Sequence, residues 1–289
     1  MLMRAFPECV PCLLRQTLRA ARLAKASDPL KVLKEVVEAL ARTEWEAPPM
    51  ELGFVVYSVI RRSLGDPYAD IRRRSNRVVL PLLPRLREYV IASEDPLETA
   101  VRLAVAGNIV DYGALDRFSV DPEERIIEDA VERALKAKPR IYDYERLRDD
   151  LESARTVMIV LDNAGEIVFD KLLAETISSE LGPRKFVFVV RSVPFINDAT
   201  LSDAEAVGLT KIPGAEVRTM RCGTLEEYRE FVGELETWIE ESDVVISKGQ
   251  GNFELLSDYK GMYFLLTVKC EPIASYLGAE IGDIVVKYS

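Results

Sequence analysis

The sequence predicts an α/β protein: a Rossmann-like three-layer α/β/α domain with a mostly parallel sheet, preceded by an all-helical N-terminal region. Two patterns carry this expectation. Up to about residue 150 the apolar residues recur at helical spacing, and beyond it short β-rich apolar runs alternate with helical segments. Size agrees, because 289 residues that are 48% hydrophobic and 30% charged can bury a sizeable core. The expected division is 1–150 for the helical region and 151–289 for a metal-binding catalytic α/β/α unit.

The elements follow in order. Cys9-Val10-Pro11-Cys12 heads a helix carrying Leu13, Leu14 and Leu18. Leu30, Leu33, Val36, Val37 and Leu40 mark the next, with Ser27-Asp28-Pro29 as its start. Helical patterns cover 97–109 and 125–136, the latter opened by Asp121-Pro122. Pro48-Pro49, Gly65-Asp66-Pro67 and Asp95-Pro96 punctuate the series. Strands are then expected at 156–161, 186–190, 216–220, 244–247, 263–268 and 284–287. Helices are expected between them, near 166–180, 201–208, 226–241 and 271–277; Tyr228, Phe231, Val232, Leu235, Trp238 and Ile239 form the apolar face of the third.

Composition narrows the chemistry. The chain has no histidine, which removes Ser-His-Asp and Cys-His triads, histidine zinc sites and the usual general base. Carboxylates, lysine, cysteine or an oxygen-bound metal must serve instead. The net charge of −10 is uneven: residues 1–150 hold 25 basic and 25 acidic side chains, and residues 151–289 hold 13 and 23. Such a chain is a poor nucleic-acid binder. Its acidic half needs a cation to handle a small anion. No apolar stretch approaches a membrane span, and MLMRAFPECVPC has no signal-peptide core, so a cytoplasmic protein without membrane contact is expected.

In open α/β sheets ligands bind beyond the carboxyl ends of strands. The run VMIVL leads into Asp162-Asn163-Ala164-Gly165-Glu166, and the next strand leads through Arg191 to Asn197-Asp198. Each Asp/Asn pair has two readings, as a helix cap or as oxygen donors to a hard cation. Two such pairs at adjacent strand tips can converge on one cation. Arg191 is either an anion contact or a surface charge. Lys248-Gly249-Gln250-Gly251 lacks the dinucleotide fingerprint and reads as a phosphate cradle or a flexible turn. Gly107-Asn108-Ile109-Val110-Asp111 breaks a helix, as a substrate-facing lid or a helix end. Cys9 and Cys12 form a CxxC pair suited to redox chemistry or a second metal site, while Cys270 reads as structural. Arg72-Arg73-Arg74 reads as a solvated helix face.

Together the segments ECVPCLLRQ, DPYADIRRRSN, GNIVD, LDNAGEIVFDKLL, VPFINDAT, DVVISKGQGNFE and FLLTVKCEPIASYLG resemble the damage-control metal phosphatases. The cysteine pair is similar to that of their stand-alone archaeal and bacterial branch, subfamily I. The Arg-Thr-x-Lys branch does not match, because this chain reads Arg191-Ser192-Val193-Pro194. The resemblance implies a divalent cation (Mn, Ni, Co or Mg) held at Asp162, Asn163 and Asp198, with Lys248 near the phosphate. It implies hydrolysis of phosphate monoesters of small metabolites, either side-product sugar phosphates or oxidised nucleotides and their precursors. Water or Asp162 is then the nucleophile. Ala164 stands where haloacid-dehalogenase-type phosphatases place a second Asp, which favours water. Two other classes remain at this stage: an S-adenosylmethionine-dependent methyltransferase, and a non-catalytic metal or redox sensor built on Cys9 and Cys12.

Overall fold

The computed structural model describes residues 3–107 and 124–289. The first part is helical: α1 (Cys9–Leu23), α2 (Pro29–Leu40), α3 (Pro49–Leu64), α4 (Ala69–Val79), α5 (Leu83–Ile91), α6 (Pro96–Gly107) and α7 (Glu124–Lys136). The prolines act as the sequence suggests, since Pro29, Pro49 and Pro96 each open a helix where no intrahelical N–H is needed. Asp28 caps α2 by accepting from Lys31 N at 3.0 Å. Asn108 and the Asp121-Pro122 start lie outside the described residues.

The second part alternates as expected. It comprises β1 (Ile141–Tyr142), α8 (Tyr144–Ser153), β2 (Thr156–Val160), α9 (Ile167–Leu181), β3 (Lys185–Arg191), α10 (Leu201–Val207), β4 (Ala215–Met220), α11 (Leu225–Glu240), β5 (Val244–Lys248), α12 (Gln250–Leu256), β6 (Met262–Thr267), α13 (Glu271–Leu277) and β7 (Ile284–Tyr288). The seven strands lie in the order β1-β7-β6-β5-β2-β3-β4, and every pairing is parallel except β6 with β7. Two elements depart from the sequence reading. β1 is a two-residue strand, too short for periodicity to register, and it pairs with β7 ahead of residue 151. Gln250–Leu256, read as a glycine-rich turn, is helical.

Strand residues alternate between two cores, as the period of two requires. Val157, Ile159, Phe186, Phe188, Val190, Ile246 and Leu265 pack with α5, α6 and α9 on one face. Met158, Val160, Val187, Val189, Val245, Phe264 and Leu266 pack with α1, α3 and α11 on the other. The N-terminal helices thus cover both faces. α4 passes between them: Tyr68 just before it lies in the second core, Ile71 packs against that core, and Val79 lies in the first.

Candidate metal centre

The chain runs β2-β3-β4 outward in one direction, then returns to place β5 and β6 on the other side of β2. The carboxyl ends of β2 and β5 therefore flank a topological switch point, where open parallel sheets form a crevice. Asp162 and Asn163 follow β2, and Lys248 ends β5.

The loop after β3 folds back beside the loop after β2. Asn163 and Asp198 form an antiparallel bridge. Ala164 N donates to Asn197 O at 2.9 Å, and Ala199 N donates to Asp162 O at 2.7 Å. These bonds set the two Asp/Asn pairs side by side. Neither pair caps a helix: α9 starts behind Glu166 without a side-chain cap bond, and α10 starts at Thr200 with Asp203 completing a capping box. The capping alternative for all four residues therefore falls away.

The pairs are buried and held from below. Asn163 Nδ2 donates to Asp162 Oδ2 at 2.7 Å and to Glu166 Oε2 at 3.2 Å, which turns its amide oxygen away from both acids. Asp198 Oδ2 accepts from Arg191 Nε at 2.7 Å. Arg191 also donates to Asn252 Oδ1 at 2.8 Å and lies 2.8 Å from Met220 Sδ, so its guanidinium faces protein. The negative charge of Asp198 outweighs burial and holds Arg191 above its ordinary pKa. Asn252 in turn donates to Leu161 O at 3.0 Å and Lys248 O at 2.8 Å, which ties the ends of β2 and β5 together. Sequence reading passed over Asn252, because the segment looked like a turn.

Lys248 is fully buried. Three oxygens surround its ammonium: Ala104 O at 2.8 Å, Glu166 Oε1 at 2.7 Å and Asp170 Oδ1 at 2.9 Å. Of its three N–H donors, hydrogen bonds go to Ala104 O and Glu166 Oε1, while Asp170 stands at ion-pair distance without one. Burial opposes the charge on Lys248, but Asp170 and Glu166 outweigh it and raise the pKa. Burial pushes Asp170 up to about 7, against the pull of Lys248. Glu166 and Asp170 were not singled out in the sequence. Their spacing at i and i+4 on α9 was the available signal.

One amide of the cradle expected after β5 is engaged within the sheet. Gly249 N–H is spent on Leu265 O at 3.0 Å. The glycine serves close approach instead: its φ is +79°, and a Cβ there would stand 1.9 Å from Asp162 Oδ2.

These residues fit a hard divalent cation on three observations. Two carboxylates and an amide lie on adjacent paired loops, the donor chemistry such ions take. Four carboxylates, Asp162, Asp198, Glu166 and Asp170, are buried there, with Arg191 paired to Asp198 and Lys248 to Glu166 and Asp170. Asn197 is fully buried, with neither amide atom hydrogen-bonded, although nearly all such groups find partners. Among the described residues no three Asp, Glu, Cys or His side chains gather as a cation-binding group, and this set is two carboxylates and an amide.

The thiols gather elsewhere. Cys9, Cys12 and Cys270 are free and half-buried. Burial, with the charges of Glu254, Cys270 and Cys12, pushes Cys9 up to about 11. Gln250 Nε2 bridges Cys270 Sγ at 3.3 Å and Glu254 Oε1 at 2.9 Å. Cys270 thus lies near the CxxC pair, which spacing alone could not reveal.

An open, mostly parallel α/β sheet with a buried oxygen-donor cluster at its switch point defines a Rossmann-like ligand-binding protein. Comparison with known proteins is more specific. Residues 5–285 match the model of the damage-control phosphatase ARMT1-like domain, and the chain belongs to this family. It is 36% identical to a damage-control phosphatase of Archaeoglobus fulgidus over 99% of both chains. It is 29% identical to damage-control phosphatase PH1575 of Pyrococcus horikoshii over 96% of both. The crystal structure of PH1575, described as a DUF89 family protein, superposes with a TM-score of 0.84 at 28% identity and 99% coverage of each chain.

Proposed function

We propose that this chain is a divalent-cation-dependent phosphatase that hydrolyses phosphate monoesters of small metabolites, removing damaged or side-product sugar phosphates or oxidised nucleotides and their precursors. The observation that carries the reading is the pairing of the loops after β2 and β3, which sets Asp162-Asn163 against Asp198. Membership of a family described as damage-control phosphatases supports the reaction class. Cys9 and Cys12 support placement in subfamily I, and a cytoplasmic location is part of the same proposal.

Asp162, Asn163 and Asp198 hold the cation, with Mn, Ni, Co and Mg as the candidates. When bound, it supplies Lewis acidity toward a phosphoryl oxygen. Arg191 fixes the Asp198 carboxylate, and Glu166, braced by Lys248, fixes the Asn163 amide. Burial keeps bulk water from these charges and strengthens their hold on an anion–cation pair. Water is the nucleophile in this reading. Asp162 Oδ2 is engaged by Asn163 and walled by Gly249, and Ala164 supplies no second acid. Lys248 is bonded to Glu166 and Ala104 O and paired with Asp170, so its first role is to brace Glu166, with a phosphate contact as its second. Arg191 acts on substrate through Asp198, and Asn108 is kept as a substrate contact.

Neither rival gains a specific observation. The turn after β2 carries a single glycine, Gly165, packed on Ser75, which suits no methyltransferase-type glycine loop. The raised pKa of Cys9 keeps its thiol protonated near neutrality, unlike a reactive redox cysteine.

The test uses chelator-stripped protein, a generic phosphate ester and a panel of Mn, Ni, Co and Mg. Hydrolysis is expected only with added cation in the wild type, and Asp162→Ala is expected to lose it with the fold intact. Cation-independent turnover, or full activity in Asp162→Ala, overturns the assignment.

A further inference from the structure

We propose that Asn76 on α4 is the positioning residue of this site: it fastens both ligand-bearing loops to one helix face and so sets Asp162-Asn163 against Asp198. The inference rests on the metal reading above.

Asn76 is buried, and its amide is used at both ends. Oδ1 accepts from Gly165 N at 2.7 Å, in the turn directly after Asn163. Nδ2 donates to Asp203 Oδ1 at 2.8 Å, in the first turn of the helix that follows Asp198. These partners fix the amide orientation, because a backbone N–H only donates and a carboxylate only accepts. Asp203 is the hub on the β3 side. Its Oδ2 accepts from Thr200 N at 3.0 Å and Thr200 Oγ1 at 2.6 Å, and so anchors the chain two residues beyond Asp198.

The same helix face makes a second attachment one turn earlier. Arg72 donates to Ile196 O at 3.3 Å, two residues before Asp198, and its Nε lies 3.5 Å from Asp203 Oδ2. Asp66 also pairs with its guanidinium. Residues four apart on a helix share a face, so Arg72 and Asn76 grip the β3 loop at two points while Asn76 also bonds the β2 turn. The fit is tight at that turn: Gly165 has φ +84°, and a Cβ there would stand 3.0 Å from Ser75 Cβ. The loops are joined to each other on one side by Ala164 N→Asn197 O and Ala199 N→Asp162 O. Asn76 closes the other side.

Few side chains can replace this one. Alanine removes the partner of the Gly165 N–H and the Asn76 bond to Asp203 Oδ1. Aspartate keeps the acceptor for Gly165 but sets a second carboxylate against Asp203 in a buried place. Loss of a hydrogen bond made directly to a ligand typically costs about 10–100-fold in metal affinity, and Asn76 acts on both ligand-bearing loops at once.

The experiment titrates Mn2+ into the full-length chain and follows free Mn2+ by electron paramagnetic resonance, with thermal melts alongside. The variants are Asn76→Ala, Asn76→Asp and, as a stability control, Val36→Ala, a core truncation on α2 with no bond to either loop. Asn76→Ala and Asn76→Asp are expected to weaken Mn2+ binding about 10–100-fold. Val36→Ala is expected to lower the melting temperature and leave binding within about twofold. If Asn76→Ala does not fold, the isosteric Asn76→Asp decides. Variants at 76 that bind as tightly as the wild type, or a Val36→Ala chain that loses as much affinity, overturn the positioning role alone. A wild-type chain that binds no Mn2+ overturns the metal reading and this inference with it.

Discussion

Gly249→Ala tests the site at its tightest point. Gly249 sits at φ +79° and ψ 163°, a region that only glycine occupies without strain. Forcing another residue there costs about 1–3 kcal/mol. A second cost falls on the site: the new methyl group would stand 1.9 Å from Asp162 Oδ2 and 2.8 Å from Asp162 Cβ. Both lie inside any van der Waals contact, and Gly249 itself is held by Leu265 O, so the carboxylate must move. A chain of this length converts 1 kcal/mol into roughly 2 °C, which gives a melting temperature lower by about 2–6 °C. Mn2+ affinity should fall by at least 10-fold, on the order seen when a ligand's support is lost. Calorimetric titration with Mn2+ and a thermal melt measure the two effects on one preparation. A Gly249→Ala chain with wild-type Mn2+ affinity would refute the placement of Asp162 as a ligand. A melting temperature unchanged within a degree would refute the strain.

Two further outcomes bear on the buried charges. Lys248→Met leaves Glu166 and Asp170 facing each other without their cation, so destabilisation of about 3–5 kcal/mol is expected; a melting temperature equal to the wild type would show that the ammonium is not their partner. Burial raises the Glu254 carboxyl to about 7. Its contribution to stability is therefore present in full below the ordinary glutamate pKa and lost as pH rises through about 7. Melts between pH 5 and 8 should show Glu254→Gln declining less steeply with pH than the wild type, and identical slopes would refute the shift.

Much of this architecture is legible in the residues themselves. The runs TVMIV and KFVFVVR are buried on both faces, as central parallel strands must be, and they read as continuous apolar stretches. The prolines at 29, 49 and 96 mark helix starts because their φ suits the first turn. The strand tips are legible too, since ligand position in such sheets follows from topology. What escapes a linear reading is long-range. Asn76 lies 89 residues from Gly165 and 127 from Asp203, and no local pattern announces those bonds. Arg72 looks like one of three surface arginines, yet it is buried and grips Ile196 O. Lys248 looks like a free ammonium beside glycines until Ala104, Glu166 and Asp170 arrive from α6 and α9. Charge and spacing identify candidates, and tertiary partners decide what each one is free to do.

The route of α4 has a consequence for how this protein can vary. A polypeptide that supplies helices to both sides of a sheet must cross an edge somewhere, and here the crossing helix runs over the end where the strands finish. Its side chains bond Gly165, Ile196 and Asp203 on the way. The connector is thus a roof beam over the candidate site. Lengthening or shortening the segments that flank it, at Gly65 and around Leu80, is expected to shift that roof instead of an idle outer loop. Relatives with altered hinges are where divergent substrate preferences should first be sought.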